Sequence, residues 1–323
     1  MQYTNLGRSG LKVSRVALGC MSFGDTSRGF NEWALGDEAA GPIFRTAVDL
    51  GVTLWDTANF YHDGTSEEIV GRAIRRYSRR EDIVLATKVF YKMHDGPGGS
   101  GLSRKAILEQ VDASLRRLDT DYVDLYQIHR FDPDTPVEET MEALHDVVKV
   151  GKVRYLGASS MWAWQFAKLQ HTAELHRWTK FVSMQDQYSL LQREEEREMF
   201  GLLADQGVSS LPWSPLAKGR VARPWGEQTA RSAIDSAASW ILPQHDDRAI
   251  VAEVQRIAQE RGLPMAQVAM AWVLRNPVVA APILGVTKPR HLVDAVAALD
   301  VELSDTEVAA LEKHYTPRTP TGF

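Results

Sequence analysis

The chain has almost no cysteine, no strong excess of either charge and no long apolar run, and each shortage removes a class of protein. Cys20 is the single cysteine among 323 residues, so neither a disulfide within the chain nor a multi-cysteine zinc site can form. A reducing, cytoplasmic setting is the expectation. Lys and Arg number 37 against 42 Asp and Glu, a net charge of -5, with no basic cluster to grip a phosphate backbone, which argues against nucleic acid as a partner. Nowhere do about 18 apolar residues run together, and Met1 to Gly10 is too polar for a signal peptide, so no membrane partner is expected. The H-E-x-x-H pair, the Cys-x-x-Cys pair and the Walker loop are missing too. Zinc hydrolysis and P-loop phosphoryl transfer lose their usual support, and no metal site is expected.

What is present is the composition of a folded protein, 44% hydrophobic and 24% charged. Short β-branched runs alternate with longer segments of helical period, the pattern of parallel strands joined by helices. The strand candidates are Val16–Leu18, Val52–Asp56, Ile83–Val89, Val123–His129, Val153–Ala158, Phe181–Gln185, Ser209–Trp213 and Val279–Leu284. Ser103 stands ahead of the stripe Ile107, Val111, Leu115 and Leu118, and Thr135-Pro136-Val137-Glu138 reads as a capping box with proline in the first helical position. Further amphipathic segments begin near Asp37, Ser66, Trp162, Arg193, Arg248 and Pro289. Eight strand–helix units in a chain of this length predict a (β/α)8 TIM barrel, with residues 1–323 as one domain.

Three segments fall outside the repeat. Tyr3–Leu6 and Lys12–Val13 flank Gly7-Arg8-Ser9-Gly10, a predicted N-terminal hairpin closing the bottom of the barrel. The stretch from Leu216 to Asp247 has weak period and exceeds an ordinary loop, which makes it a candidate lid, substrate wall or subunit contact. Ser304-Asp305-Thr306-Glu307 is a second capping box, opening a terminal helix through Leu311. Gly96-Pro97-Gly98-Gly99-Ser100-Gly101 satisfies G-x-G-x-x-G, yet Phe90 to Asp95 separate it from the preceding strand, so it reads as loop punctuation.

Barrel enzymes place their chemistry at the carboxyl ends of strands. Asp56, Lys88 and His129 stand at or near such ends, and Tyr61 follows in the loop after Asp56. Singly, each has an ordinary structural role available: a cap, a rim charge, a hydrogen-bonded histidine, a loop anchor. Together they make a proton-delivery set. A lysine beside a tyrosine favours the phenolate and lowers its pKa, a carboxylate keeps a buried lysine charged, and a histidine can orient a carbonyl oxygen. Such a set suits a carbonyl that receives a hydride, which implies a nicotinamide.

These residues resemble the aldo-keto reductase superfamily. The likeness runs through Asp56-Thr57-Ala58-Asn59-Phe60-Tyr61 with Ser66-Glu67-Glu68 and Gly71, through LRRLDTDYVDLYQIH at Leu115 to His129, and through GKVRYLGAS at Gly151 to Ser159. The opening Leu6-Gly7, Ser9-Gly10-Leu11 and Val13-Ser14 is similar as well. The resemblance implies Tyr61 as general acid/base, Asp56 and Lys88 as its tuning groups, and His129 as the residue that positions the carbonyl. For the cofactor it implies Ser159, Ser160 and Gln185 at the nicotinamide carboxamide, and Trp213 on the nicotinamide face. Ser214, Pro215, Leu216, Gly219 and Arg220 would lie along the pyrophosphate, with Cys20 and Met21 also lining the nucleotide site. The loop Gly285, Val286, Thr287, Lys288, Arg290 and His291, with Asp294, would take the adenosine phosphate, and its two cations favour NADPH/NADP over NADH.

A substrate pocket is expected at Phe23, Trp33, Phe60, Phe90 and Arg130. The expected partner is a small-molecule carbonyl compound, reduced reversibly to the alcohol. The alternative reading is a nucleotide-binding regulatory subunit resembling potassium-channel β-subunits, which would bind the cofactor and turn it over slowly. Oligomeric state is not legible.

Overall fold

The computed structural model describes residues 1–28, 32–227 and 246–320. Among these, eight parallel strands form one sheet: β3 (Ala17–Gly19), β4 (Leu54–Asp56), β5 (Val84–Val89), β6 (Val123–Ile128), β7 (Val153–Ser159), β8 (Phe181–Gln185), β9 (Ser209–Ser210) and β10 (Ile283–Gly285). Each pairs with its neighbour in the chain, and β10 returns to pair with β3. The last gap closes through the backbone: Ser210 N donates to Val278 O at 2.8 Å, Ala280 N to Ser210 O at 2.9 Å, and Ile283 N to Pro212 O at 2.8 Å. The sheet therefore curls into the predicted barrel, and every predicted strand overlaps an observed one or its isolated bridges at Trp213 and Val279.

The hairpin is formed by β1 (Tyr3–Asn5) and β2 (Lys12–Ser14), antiparallel in register from Tyr3 opposite Ser14. It seals the amino-terminal end: Leu6 and Val13 are fully buried in one cluster with Ala17, Leu54, Ala86, Leu125 and Leu211 from the barrel strands and the segment after β9. Gly7 N donates to Ser209 Oγ at 2.9 Å, and the Arg15 guanidinium donates to the carbonyls of Leu274 and Val279. The bottom of the barrel is thus plugged, and the chemistry is left to the other end.

The helices follow the predicted stripes, starting with α1 (Asp37–Asp49), α2 (Thr65–Tyr77), α3 (Arg104–Leu118) and α4 (Val137–Lys149). Ser103 caps α3, its hydroxyl accepting from Ala106 N at 3.3 Å. The expected box at Thr135 is corrected: Pro136 is itself the cap of α4, and the Thr135 hydroxyl donates instead to Asp132 at 2.8 Å. Asp132 also accepts from Leu102 N at 2.7 Å, so it draws Thr135 into the preceding loop and away from the helix start. Next come α5 (Ala163–His176), α6 (Met199–Gln206) and α7 (Arg248–Arg261). The helix α8 (Met265–Leu274) was not legible as a stripe, because Val268, Met270, Trp272 and Val273 bury all of its faces. Then follow α9 (Pro289–Ala297) and α10 (Asp305–Glu312), the latter with the expected capping box: Ser304 Oγ accepts from Glu307 N, and Ser304 N donates to Glu307 Oε2.

Of the long stretch from Leu216 to Asp247, residues 228–245 lie outside the described residues. Asp247 itself is buried and accepts from Arg318 at 2.8 Å. The glycine-rich decoy is a loop closed on itself, with Met93 N donating to Gly99 O and Gly101 N to Phe90 O. Among the described residues, no helix is long and apolar enough to cross a membrane.

Candidate active site

Strand register brings the polar set together before any loop is considered. Asp56 on β4 pairs with Ala86, and Lys88 lies two residues further along the same face of β5. Lys88 stands opposite Gln127 on β6, and Ser159 at the end of β7 stands opposite Gln185 on β8. Tyr61 is returned to this face by a tight turn. His62 and Asp63 take left-handed backbone angles (φ 49° and 53°), and Gly64 (φ 87°) precedes α2.

The motif residues after Tyr61 hold that turn. Ser66 Oγ donates to Cys20 O at 2.8 Å and lies 2.9 Å from Thr57 Oγ1. Glu67, fully buried, accepts from Thr87 Oγ1 at 2.6 Å and from Arg117 Nε at 2.6 Å, tying α2 to β5 and α3. Gly71 lets α2 and α3 meet, since a Cβ there would fall 2.3 Å from Leu118 O.

Lys88 has no exposed surface, and all three of its protons are committed: to Asp56 Oδ2 at 2.6 Å, to Thr57 O at 2.8 Å and to Tyr61 Oη at 3.2 Å. Asp56 Oδ1 accepts from Gln127 Nε2 at 2.8 Å and from Gln185 Nε2 at 3.0 Å. Every member of this buried network is paired, which is what makes a charge tolerable there. Burial disfavours the Lys88 ammonium, but Asp56 and Tyr61 outweigh it and hold the pKa above the usual lysine value. Tyr61 departs from the expected lowering. Burial raises its phenol, the nearby Lys88 charge lowers it, and burial wins. His129 is held well below its ordinary value by burial, then by Lys88 and Arg130, so it is neutral at neutral pH. Its Nδ1 is buried without a hydrogen-bond partner among the described residues.

The remaining expected residues gather at the same end. Ser159 and Ser160 hydroxyls lie 3.2 Å apart, and the Trp213 indole donates to Ser160 Oγ at 3.1 Å. Gln185 spends its amide protons on Asp56 and on Gln127 Oε1 at 3.1 Å, leaving its oxygen as the acceptor for a carboxamide. After Trp213 the backbone is left-handed at Ser214, Ala217, Lys218 and Gly219, with Pro215 and Leu216 between. Arg220 sits 3.9 Å from Asp247, so its charge is shared with that buried carboxylate. Cys20 is buried in a turn after β3, and Met21 O contacts His62 Nε2 at 3.3 Å. Gly285 ends β10, Val286 is buried, and Thr287 N faces His291 Nδ1 at 3.5 Å. Lys288 caps α9, in which Arg290 lies in the first turn and Asp294 past the middle, and Lys288 and Arg290 are exposed.

The substrate expectations divide. Phe60 lies 5.2 Å from Tyr61 and 5.3 Å from His129 between ring centroids, and Phe90 lies 5.4 Å from Tyr91. Phe23 is wholly buried, its ring 4.7 Å from that of Phe44. Trp33 is nearly buried and follows residues 29–31, which lie outside the described residues. Three groups at the site escaped the sequence reading. Gln127 carried a signal, as a polar residue on the inward face of a strand otherwise apolar. Tyr91, 4.9 Å from His129 and 4.4 Å from Phe60, carried only the hint of an aromatic pair with Phe90. Ser22 Oγ is buried, without a partner among the described residues, beside Gly285.

A family model described as the aldo/keto reductase family matches residues 15–316. Among similar proteins, a versiconal hemiacetal acetate reductase from Aspergillus parasiticus is 44% identical over 98% of this chain and 98% of its own length. An aldo-keto reductase from Metarhizium robertsii is 45% identical, covering 100% of this chain and 93% of its own. A Schizosaccharomyces pombe protein bearing an aryl-alcohol dehydrogenase name is 42% identical over 98% and 96%.

Proposed function

The chain belongs to the aldo/keto reductase family, and from that premise we propose that it reduces an aldehyde or ketone to the alcohol with NADPH, Tyr61 supplying the proton. The observation that carries the reading is the saturated Lys88: it donates to Tyr61 Oη, so the phenol hydrogen is left to point away from it, toward a substrate oxygen. Neutral His129 offers one ring N–H to the same oxygen and steadies the charge that develops there. The Phe60 and Tyr91 rings, packed 4.4 Å apart, give that position an apolar flank. Alcohol oxidation is the same path reversed, with Tyr61 as the base. The match over residues 15–316 supports taking 1–323 as one catalytic domain.

The residues present fit a nicotinamide nucleotide. The Gln185 oxygen and the Ser159 and Ser160 hydroxyls suit its carboxamide, Trp213 suits its ring, and the orphaned Ser22 Oγ lies beside the loop expected at the phosphates. Lys288 and Arg290, exposed and without a carboxylate partner among the described residues, favour a 2'-phosphate and hence NADPH. When bound, the reduced nicotinamide supplies the hydride.

Two measurements test this. Aldehyde-dependent oxidation of NADPH, with slower use of NADH, is expected; tight NADPH binding without turnover of any aldehyde or ketone would instead favour a regulatory subunit. The pH profiles give the second. Because burial holds the Tyr61 phenol protonated beyond the usual tyrosine value of about 10, reduction should stay level through neutral pH and fall only in strong alkali, while oxidation rises over that range. A break in reduction near pH 6.5, roughly the ordinary histidine value, would show that His129 titrates and overturn its neutral role.

A further inference from the structure

We propose that Arg130 is an anion-recognition residue at the substrate mouth, and that the preferred substrates are carbonyl compounds carrying a carboxylate. This deepens the reductase reading and rests on it. Arg130 follows His129 directly, and its guanidinium stands 5.6 Å from the centroid of Tyr91, the ring that packs on His129 and Phe60. The group is only partly exposed. Among the described residues, one of its five N–H donors is partnered, with the His129 carbonyl at 2.5 Å.

What Arg130 lacks is a counter-ion, a lack it shares among the described residues with Arg15, whose guanidinium instead meets two backbone carbonyls at the plugged end of the barrel. Arg80 and Arg117, also sheltered, are paired with Asp124 at 2.7 Å and Glu67 at 2.6 Å. Arg130 meets no carboxylate at ion-pair distance among the described residues, and its charge is felt instead by Tyr61, Tyr91 and His129. A sheltered guanidinium without an anion is costly, and its planar fork matches a carboxylate. A cation beside the Tyr91 ring, which itself packs on Phe60, suits a monoanion borne on an apolar or aryl frame.

The test compares 2-, 3- and 4-formylbenzoate with their methyl esters, as NADPH-dependent substrates of the wild type, Arg130→Gln and Arg130→Lys. At least one formylbenzoate is expected to exceed its ester in kcat/KM by about tenfold or more in the wild type, the scale of one charged hydrogen bond. That ratio should collapse in Arg130→Gln and recover in part in Arg130→Lys. Calorimetric binding of benzoate, against benzamide, to the NADP complex reads the same recognition without turnover, and Arg130→Gln should lose about tenfold for benzoate alone. An acid-to-ester ratio at or below one in the wild type, or one unchanged in Arg130→Gln, overturns the inference while ester turnover leaves the reductase reading standing. If no aldehyde is reduced, the reductase reading fails, and with it the substrate class.

Discussion

Tyr61→Phe is expected to lower kcat by about a hundredfold to ten-thousandfold, the range of a general acid removed from its proton transfer. The ring is kept, so its contacts with Phe60 at 5.2 Å and His129 at 5.9 Å persist, and the fold should hold. Lys88 loses one acceptor but retains Asp56 and the Thr57 carbonyl, so the stability cost is that of one unmet donor, about 1–3 kcal/mol. Cofactor affinity should change little, since the residues expected to hold the nucleotide are untouched. The check is steady-state reduction beside NADPH titration by fluorescence. A variant that keeps a third or more of the wild-type kcat would remove Tyr61 from the role of acid.

Lys88→Met should damage both activity and stability. It strips the ammonium from a carboxylate that is 2% exposed, leaving Asp56 with only the Gln127 and Gln185 amides. Breaking a buried pair on one side costs about 3–5 kcal/mol. The phenol also loses the charge that opposes its burial, so proton transfer should slow as well. Denaturant midpoints measure the first effect and kcat the second. The double variant Lys88→Met with Asp56→Asn separates them: it should regain much of the stability, because no unpaired charge remains, and none of the activity. Recovery of neither would mean that Lys88 acts through packing, and recovery of both would dissociate it from catalysis.

The barrel was readable because its signals are local. Each strand candidate is a short β-branched run, and each surface helix shows one stripe, as Ile107, Val111 and Leu118 do in α3. The sequence reading failed where the environment is the same on every side. The helix Met265–Leu274 has no polar face to mark its period. Thr135 failed for another reason: Asp132, three residues earlier, competes for its hydroxyl.

The same division runs through the site. Asp56, Tyr61, Lys88 and His129 could be named from the linear order, since period and strand ends place chemically apt residues at one end of a barrel. Their partnership could not. That Lys88 exhausts its donors, that Gln127 and Gln185 share Asp56, that burial overrides Lys88 at Tyr61, and that Arg130 finds no anion among the described residues all depend on which side chains meet across strands far apart in the chain. Hydrogen bonding and desolvation act over a few ångströms of space rather than over neighbouring positions, so these properties exist only once the sheet has closed.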